Sequence, residues 1–232
     1  MKKKILIIAI IVAVIGAAAF GYKAVFGKKE IPANGLLMIG NDKEVNSIEE
    51  RYKSDTKIAN KYKIKTAVIN KEKALILSKS TGNELIKKGI LEEKDGDFAF
   101  GTPIDEMPNV SKDEAIIFEA IIFNNETKCS DMKEIAISND KFKVGFYNKA
   151  WIGRYIDKLA KFIIIVDDDK FNKISATETN MDVLEFKKSF GDTDRTASGE
   201  YKKTRHYKEN IELERLYPKM QGFKFVTVEK TK

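Results

Sequence analysis

The sequence predicts an α+β protein: a single N-terminal transmembrane or signal helix, then a mixed domain of antiparallel hairpins and several helices. Three observations carry this reading. Ile5 to Tyr22 contains no charged residue. Beyond Gly35, short apolar runs are separated by turn-forming residues, which is how hairpin strands are punctuated. Helical spacing appears among those runs, without the regular strand–helix–strand alternation that marks a parallel sheet.

The N-terminal segment comes first. Met1-Lys2-Lys3-Lys4 precedes the 18 residues Ile5–Tyr22, and Lys23 closes the run. At about 1.5 Å per residue such a helix reaches roughly 27 Å, the thickness of a bilayer's hydrocarbon core. A core helix would keep a polar stripe, and this segment has none. Two fates fit it: a retained signal anchor, or a signal peptide cut after Ala19 in Ala17-Ala18-Ala19. The length of the run favours retention. A lipoprotein is not expected, because no Cys follows the run and Cys129 is the sole Cys. Lys2, Lys3 and Lys4 on one side balance Lys23, Lys28 and Lys29 on the other, so charge alone leaves orientation open. The signal-like order of features puts the domain outside the cytoplasm. Residues 23–34 read as a linker and 35–232 as one domain, with two small packed lobes as the alternative.

Along the domain, Leu36–Gly40 reads as a first strand. Asp42–Tyr62 reads as a surface helix broken near Ser54-Asp55, with Val45, Ile48 and Tyr52 at helical spacing. Ile64–Ile69 and Ala74–Leu77 read as strands around Asn70–Lys73. Thr81 with Glu84 forms a capping box for a helix that Gly89 ends. Asp95-Gly96 is a hairpin turn joining Ile90–Glu93 to Asp97–Phe100. The tandem Glu114–Phe118 and Glu119–Phe123 is ambiguous: Ser111 with Glu114 caps a helix, while four Ile favour a strand. A buried helix is the expectation, with a partner-binding or membrane-inserting segment as the functional alternative. Lys133–Ser138 and Lys141–Tyr147 form a hairpin about Asn139-Asp140. Lys149–Lys161 is amphipathic and reads as a helix. Phe162–Val166 is a strand, Asp167–Asp169 a turn, and Phe171–Ala176 a partner strand. Met181–Phe190 reads as a short helix closed by Gly191. The C-terminal stretch, with Ile211/Leu213 and Phe223/Phe225, reads as a hairpin turning near Pro218.

The formal charge of +7 and the pI near 9.1 suggest an acidic partner at first sight. Residues 1–29 hold six Lys and no acid, which leaves the rest nearly neutral, with 36 basic against 35 acidic residues. The densest basic stretch, Tyr201–Lys208, is followed at once by Glu209, Glu212 and Glu214, and reads as a solvated strand face. Nucleic acid is therefore not an expected partner. Only five basic residues are Arg, and this Lys-rich, Ile-rich usage behind a Met-Lys-Lys-Lys start suits a bacterium with AT-rich coding.

One Cys excludes an internal disulfide framework. A Cys129 thiolate would want a His, and His206 is the sole one. Unrelated loop and strand positions account for both more simply. Asp167-Asp168-Asp169 could offer oxygen ligands to a hard cation, but the Gly and spacing of a calcium loop are missing; position six from Asp167 is Asn172. A solvated turn accounts for the run. Phosphate-binding glycine loops are absent. Trp151, near Tyr147 and Tyr155, could form an aromatic platform for a sugar, and core packing is the plainer role. Type IV pilins also place an apolar helix before an α+β head, but with a Gly before the apolar stretch and a Glu at its fifth residue. Here Lys4 precedes Ile5 and no acid occurs before Glu30, so the likeness stops there.

These readings converge on an anchored or exported envelope protein of bacterial type, attached to the membrane via Ile5–Tyr22. It would bind a protein partner or an envelope polymer, with no cofactor, no metal and no designated catalytic residue. Two alternatives stay open: an extracytoplasmic hydrolase using paired carboxylates, and a domain tethered to the inner membrane face.

Overall fold

The computed structural model describes residues 31–94, 101–120, 132–153, 159–193 and 201–229. Outside the described residues lie the apolar segment Ile5–Tyr22, the Asp95-Gly96 turn, Ile121–Phe123, the Cys129 stretch and residues 154–158. The rest is an α+β domain, as the sequence predicts.

Strands β1 (Gly35–Gly40), β2 (Thr56–Ile69), β3 (Glu72–Ser78), β6 (Glu114–Glu119), β7 (Glu134–Ile137), β8 (Asp140–Asn148), β10 (Phe162–Val166), β11 (Thr177–Phe186) and β12 (Gly222–Val226) form one sheet. Its order is β12-β1-β11-β2-β3-β10-β6-β8-β7. The pairs β3–β10 and β6–β8 are parallel and the others antiparallel. A small second sheet joins β5 (Gly101–Pro103), β4 (Leu91–Lys94) and β9 (Ala150–Ile152) in that order. Helices α1 (Asp42–Tyr52), α2 (Lys79–Lys87), α3 (Asp168–Lys173) and α4 (Arg205–Leu216) pack around them.

Strand alternation sorts the core onto the two faces of the large sheet. Leu37, Ile39, Leu75, Leu77, Ile163 and Ile165 point to one face, where Leu85 and Ile86 of α2 and Leu91 and Ile152 of the small sheet cover them. The opposite face carries two apolar clusters. Leu36, Met38 and Leu184 pack under Val45, Ile48 and Tyr52 of α1 and Leu213 of α4. Ala74, Ile76, Ile117, Phe162 and Ile164 pack under Phe171 and Ile174 of α3.

Many expected elements recur. The first strand, the Asn70-Lys71 turn (φ 51° and 67°) and Gly89 as the left-handed stop after α2 (φ 64°) are present. The hairpin β7–β8 turns at Ser138 (φ 54°) and Asn139, one residue earlier than expected. β4 pairs antiparallel with β5, Lys94 opposite Gly101, so its partner lies beyond the expected Asp97–Phe100, which falls outside the described residues together with the Asp95-Gly96 turn.

Seven expectations are corrected, the last of them in part. The helix from Asp42 stops at Tyr52, and Thr56–Tyr62 is the first half of β2, because β11 supplies a partner for each of those backbones. The Thr81/Glu84 box gives way to Ser78, whose hydroxyl accepts from the Thr81 N–H at 3.1 Å. Glu114–Glu119 is the strand β6, flanked by β10 and β8; its β-branched side chains suit a sheet covered on both faces. Ser111 and Glu114 do bond locally (2.9 Å), but in the turn before that strand. Ala150–Ile152 is a strand ended by Gly153 at φ 66°, so no helix spans Lys149–Lys161. Phe171–Lys173 is the end of α3 and not a strand, held because Lys65 Nζ donates to the Phe171 and Ile174 carbonyls at 2.7 Å each. Met181–Phe186 belongs to β11, where both faces are covered and even the acids Asp182 and Glu185 are buried. The C-terminal hairpin is half right: Gly222–Val226 is a strand, but Arg205–Leu216 is helix, opened by Thr204.

Candidate functional site

The parallel pair β3–β10 ends level, with Val166 beside Ser78. From there α2 leaves for one face of the sheet and α3 for the other. In open α/β sheets this is where ligands bind, beyond the carboxyl ends of the strands at a switch point. Asp167 and Asp168, singled out in the sequence, sit at this point. Asp167 caps α3 by accepting from the Asp169 N–H at 3.1 Å. Asp168 Oδ1 accepts the Ser80 N–H at 3.1 Å and the Ser80 hydroxyl at 2.8 Å. Burial alone would raise the Asp168 pKa. The Ser80 N–H and hydroxyl, the Ser78 hydroxyl and the Lys79 charge outweigh it and hold the carboxyl below the usual range.

The remaining space there, lined by Lys79, Ser111, Lys112, Glu114 and Asp167, is about 20 Å³, room for about one water. The chain's own carboxylate thus occupies the α2 N-terminus, where a ligand anion would otherwise sit. The three adjacent acids are divided between two helices. Among the described residues no group of three or more His, Cys, Asp or Glu is placed to hold a metal ion.

The roomier concavity lies beside the N-terminus of α1. Between the two apolar clusters of one sheet face runs a band of polar cross-strand pairs: Lys61 opposite Asp182, Lys63 opposite Asn180, Lys65 opposite Glu178. The N-terminus of α1 overhangs this band. Its cap is a box in which Asn41 Oδ1 accepts the Glu44 N–H (3.0 Å) and Glu44 Oε2 accepts the Asn41 N–H (3.4 Å). Asn180 Nδ2 donates to Asp42 Oδ1 at 2.8 Å and ties helix to sheet. The cleft between them measures about 300 Å³ and is lined by Asp42, Glu44, Lys63, Glu178, Asn180, Lys219 and Gln221 among others. A more open groove, lined by Thr66, Val68, Lys73, Ser138, Ser175, Thr177 and Gln221, adjoins it at Gln221. The cleft lining is polar throughout, the groove adds Ala67, Val68 and Ala176, and neither is lined by an aromatic ring. Burial depresses the Lys73 ammonium pKa within this groove. No sequence signal announces the cleft, because its lining comes from four separate stretches, each ordinary by itself.

Other candidate residues fall elsewhere. Trp151 is 3% exposed, opposite Glu92 across β4–β9, so it offers no exposed platform. His206 is buried, its ring 6.0 Å from that of Phe225, and Cys129 lies outside the described residues. The basic stretch Tyr201–Lys208 is a turn and the start of α4, which corrects the expected strand face. Arg205 there pairs with Asp55 (2.7 Å) and lies 3.7 Å from the centre of the Phe190 ring. Glu209, one turn on, accepts from Arg51 Nη2 (2.9 Å) and the Tyr52 hydroxyl (2.7 Å), fastening α4 to α1. Burial and this carboxylate both push the Tyr52 hydroxyl well above its ordinary pKa.

Among the described residues no helix is long and apolar enough to cross a membrane. No curated protein matches the chain. The fold is similar to the 1.5 Å crystal structure of a Bacillus anthracis protein described as a lipoprotein. That likeness has a TM-score of 0.62 and 21% identity, over 84% of this chain and 99% of the other. A family model matches residues 33–215, most of the domain and none of the apolar segment. The expectation against a lipoprotein, drawn from the lack of a Cys after that segment, is overturned as a statement of kinship: the chain belongs to the uncharacterised lipoprotein family.

Proposed function

We propose that this is a membrane-anchored, extracytoplasmic binding module whose polar cleft takes a protein partner or an envelope polymer. Ile5–Tyr22 is the anchor in this reading. Relatives named for a lipid need a Cys to carry it, and the sole Cys here, Cys129, lies far along the domain. An apolar helix would take over the attachment in this member, with the domain in the same place.

The observation that carries the reading is the contrast between the two concavities. The switch-point crevice is filled by Asp168, whereas the 300 Å³ cleft beside α1 is open and lined with paired donors and acceptors. That volume lies within the range of ligand pockets, and its lining suits hydroxyl- and amide-bearing chains. The test is binding of the full chain, in detergent micelles, to isolated cell-wall polymer and to solubilised envelope proteins. Lys63→Glu combined with Asn180→Ala should weaken binding at least tenfold and leave the fold intact by circular dichroism. Unchanged binding would remove the cleft from the proposal.

A hydrolase reading has one observation in its favour, the meeting of two carboxyl groups, Glu49 and Asp182, beneath α1. Both face the one Lys61 ammonium, at 2.5 Å and 3.6 Å. Asp182 is also only 2% exposed, out of reach of a substrate. Turnover of a cell-wall or peptide substrate, abolished by one acidic substitution, would reinstate the hydrolase.

A further inference from the structure

The polar band holds a group that neither binding nor folding requires to be ionisable. Asp182 is on β11, between Met38 of β1 and Lys61 of β2, with Asn180 and Leu184 beside it on its own face. Glu49 descends on it from α1. Lys61 Nζ lies 2.5 Å from Glu49 Oε2 and 3.6 Å from Asp182 Oδ2, and reaches Asn46 Oδ1 at 3.4 Å. One lysine therefore faces two carboxyl groups. Glu49 Oε1 and Asp182 Oδ2 are both buried without a hydrogen-bond donor. Two buried carboxylates in contact repel unless a proton lies between them. Burying an acceptor without a donor is costly, and a shared proton supplies that donor.

We infer that Glu49 and Asp182 form a proton-dependent latch that holds helix α1 on the sheet and releases it when the proton leaves. The charged and titratable groups facing the pair are Lys61 from β2 and the two acids themselves; β1 contributes Met38. Burial first, then the hydrogen bond and charge of Glu49, raise the Asp182 pKa to about 7 against the opposing pull of Lys61. An unfolded aspartate titrates near about 4. The folded chain binds this proton more tightly, so the latch is intact below about pH 4 and lost as pH climbs through about 7. An extracytoplasmic domain meets the pH of its surroundings directly. Because Asp42 and Glu44 of the same helix line the cleft, release would reshape that surface, a consequence that rests on the proposed binding role.

Amide hydrogen exchange on the full chain in detergent micelles, from pH 5 to pH 9 and corrected for intrinsic rates, tests the latch. Protection of Val45–Tyr52, taken relative to α2 on the opposite face, should fall by up to about tenfold per pH unit between pH 5 and about 7 and level off above it. Asp182→Asn keeps a donor toward Glu49 and should flatten that dependence. Glu49→Gln should do the same and serves if the first variant fails to fold. A pH-independent α1 in the natural chain, or an equal pH dependence in both variants, overturns the latch. Ligand binding that is lost in cleft variants while the latch persists would separate the two proposals.

Discussion

Single residues in this domain show how much depends on pairing charge that is removed from water. Lys161 and Glu119 are 5% and 6% exposed in their side chains and meet at 2.8 Å. Lys161 Nζ also donates to the Ala120 carbonyl at 3.1 Å, and the Tyr147 hydroxyl donates to Glu119. A buried pair contributes little net stability against an apolar replacement, but breaking it strands a charge. Lys161→Met should therefore cost about 3–5 kcal/mol by urea denaturation, and Lys161→Met with Glu119→Leu should recover much of that. Recovery absent from the double variant would mean that Glu119 has a second role. Asp168 behaves differently because it is exposed and works through the α2 N-terminus. Asp168→Ala should cost about 1 kcal/mol at neutral pH. Its carboxyl titrates below the ordinary range in the folded chain, so its contribution is present above the unfolded value and is lost as pH falls through the folded one. The two curves of stability against pH should merge below about pH 4.

At the scale of elements, the local signals that were legible are those with a backbone cause. Gly89 and Asn70-Lys71 each mark a chain reversal or a helix end that neighbouring residues cannot change, whereas the Asn41–Glu44 capping box went unread. Asn41→Ala removes the acceptor of the Glu44 N–H and should destabilise the domain by about 1 kcal/mol, read as a shift in denaturation midpoint. What misled was periodicity in segments covered on both faces. Ile116–Phe118 and Met181–Phe186 are buried from both sides: the first shows no polar alternate residue, and in the second the acids Asp182 and Glu185 fall at a helical spacing, so each reads as readily as helix. The spacing of Ile152, Leu159 and Ala160 mimicked an amphipathic helix, whereas Gly153 breaks the segment and all three residues serve one core cluster from separate pieces of chain. The acidic site was half legible. Asp167-Asp168 was visible as a run, but its partner Ser80 is 88 residues away, and only the parallel pairing of β3 with β10 joins them. Glu49, Lys61 and Asp182 had no local signal at all, since they are three ordinary charged residues brought together by strand register.

For the whole molecule, the open question is what holds a lipoprotein-family domain at a membrane without a suitably placed Cys. The family match begins at residue 33, so kinship concerns the domain and leaves the attachment free to differ between members. A helix of 18 apolar residues would be at the short end of what spans a bilayer, yet would bind far more firmly than one acyl chain. Attachment by Ile5–Tyr22 makes three linked outcomes follow. The chain should stay in the membrane fraction after an alkaline wash and leave it only in detergent. Its mass should be that of the unmodified polypeptide, without a diacylglyceryl addition. Deleting residues 1–29 should free a domain that keeps its circular dichroism spectrum, because Ile31–Lys232 is a compact unit of its own. Protease added to intact spheroplasts then sets the side: digestion of the domain places it outside. A mass lacking Met1–Ala19 would replace anchoring by secretion. Full protection at full mass would put the domain on the inner face, where neither envelope binding nor an external pH signal could reach the Glu49–Asp182 pair.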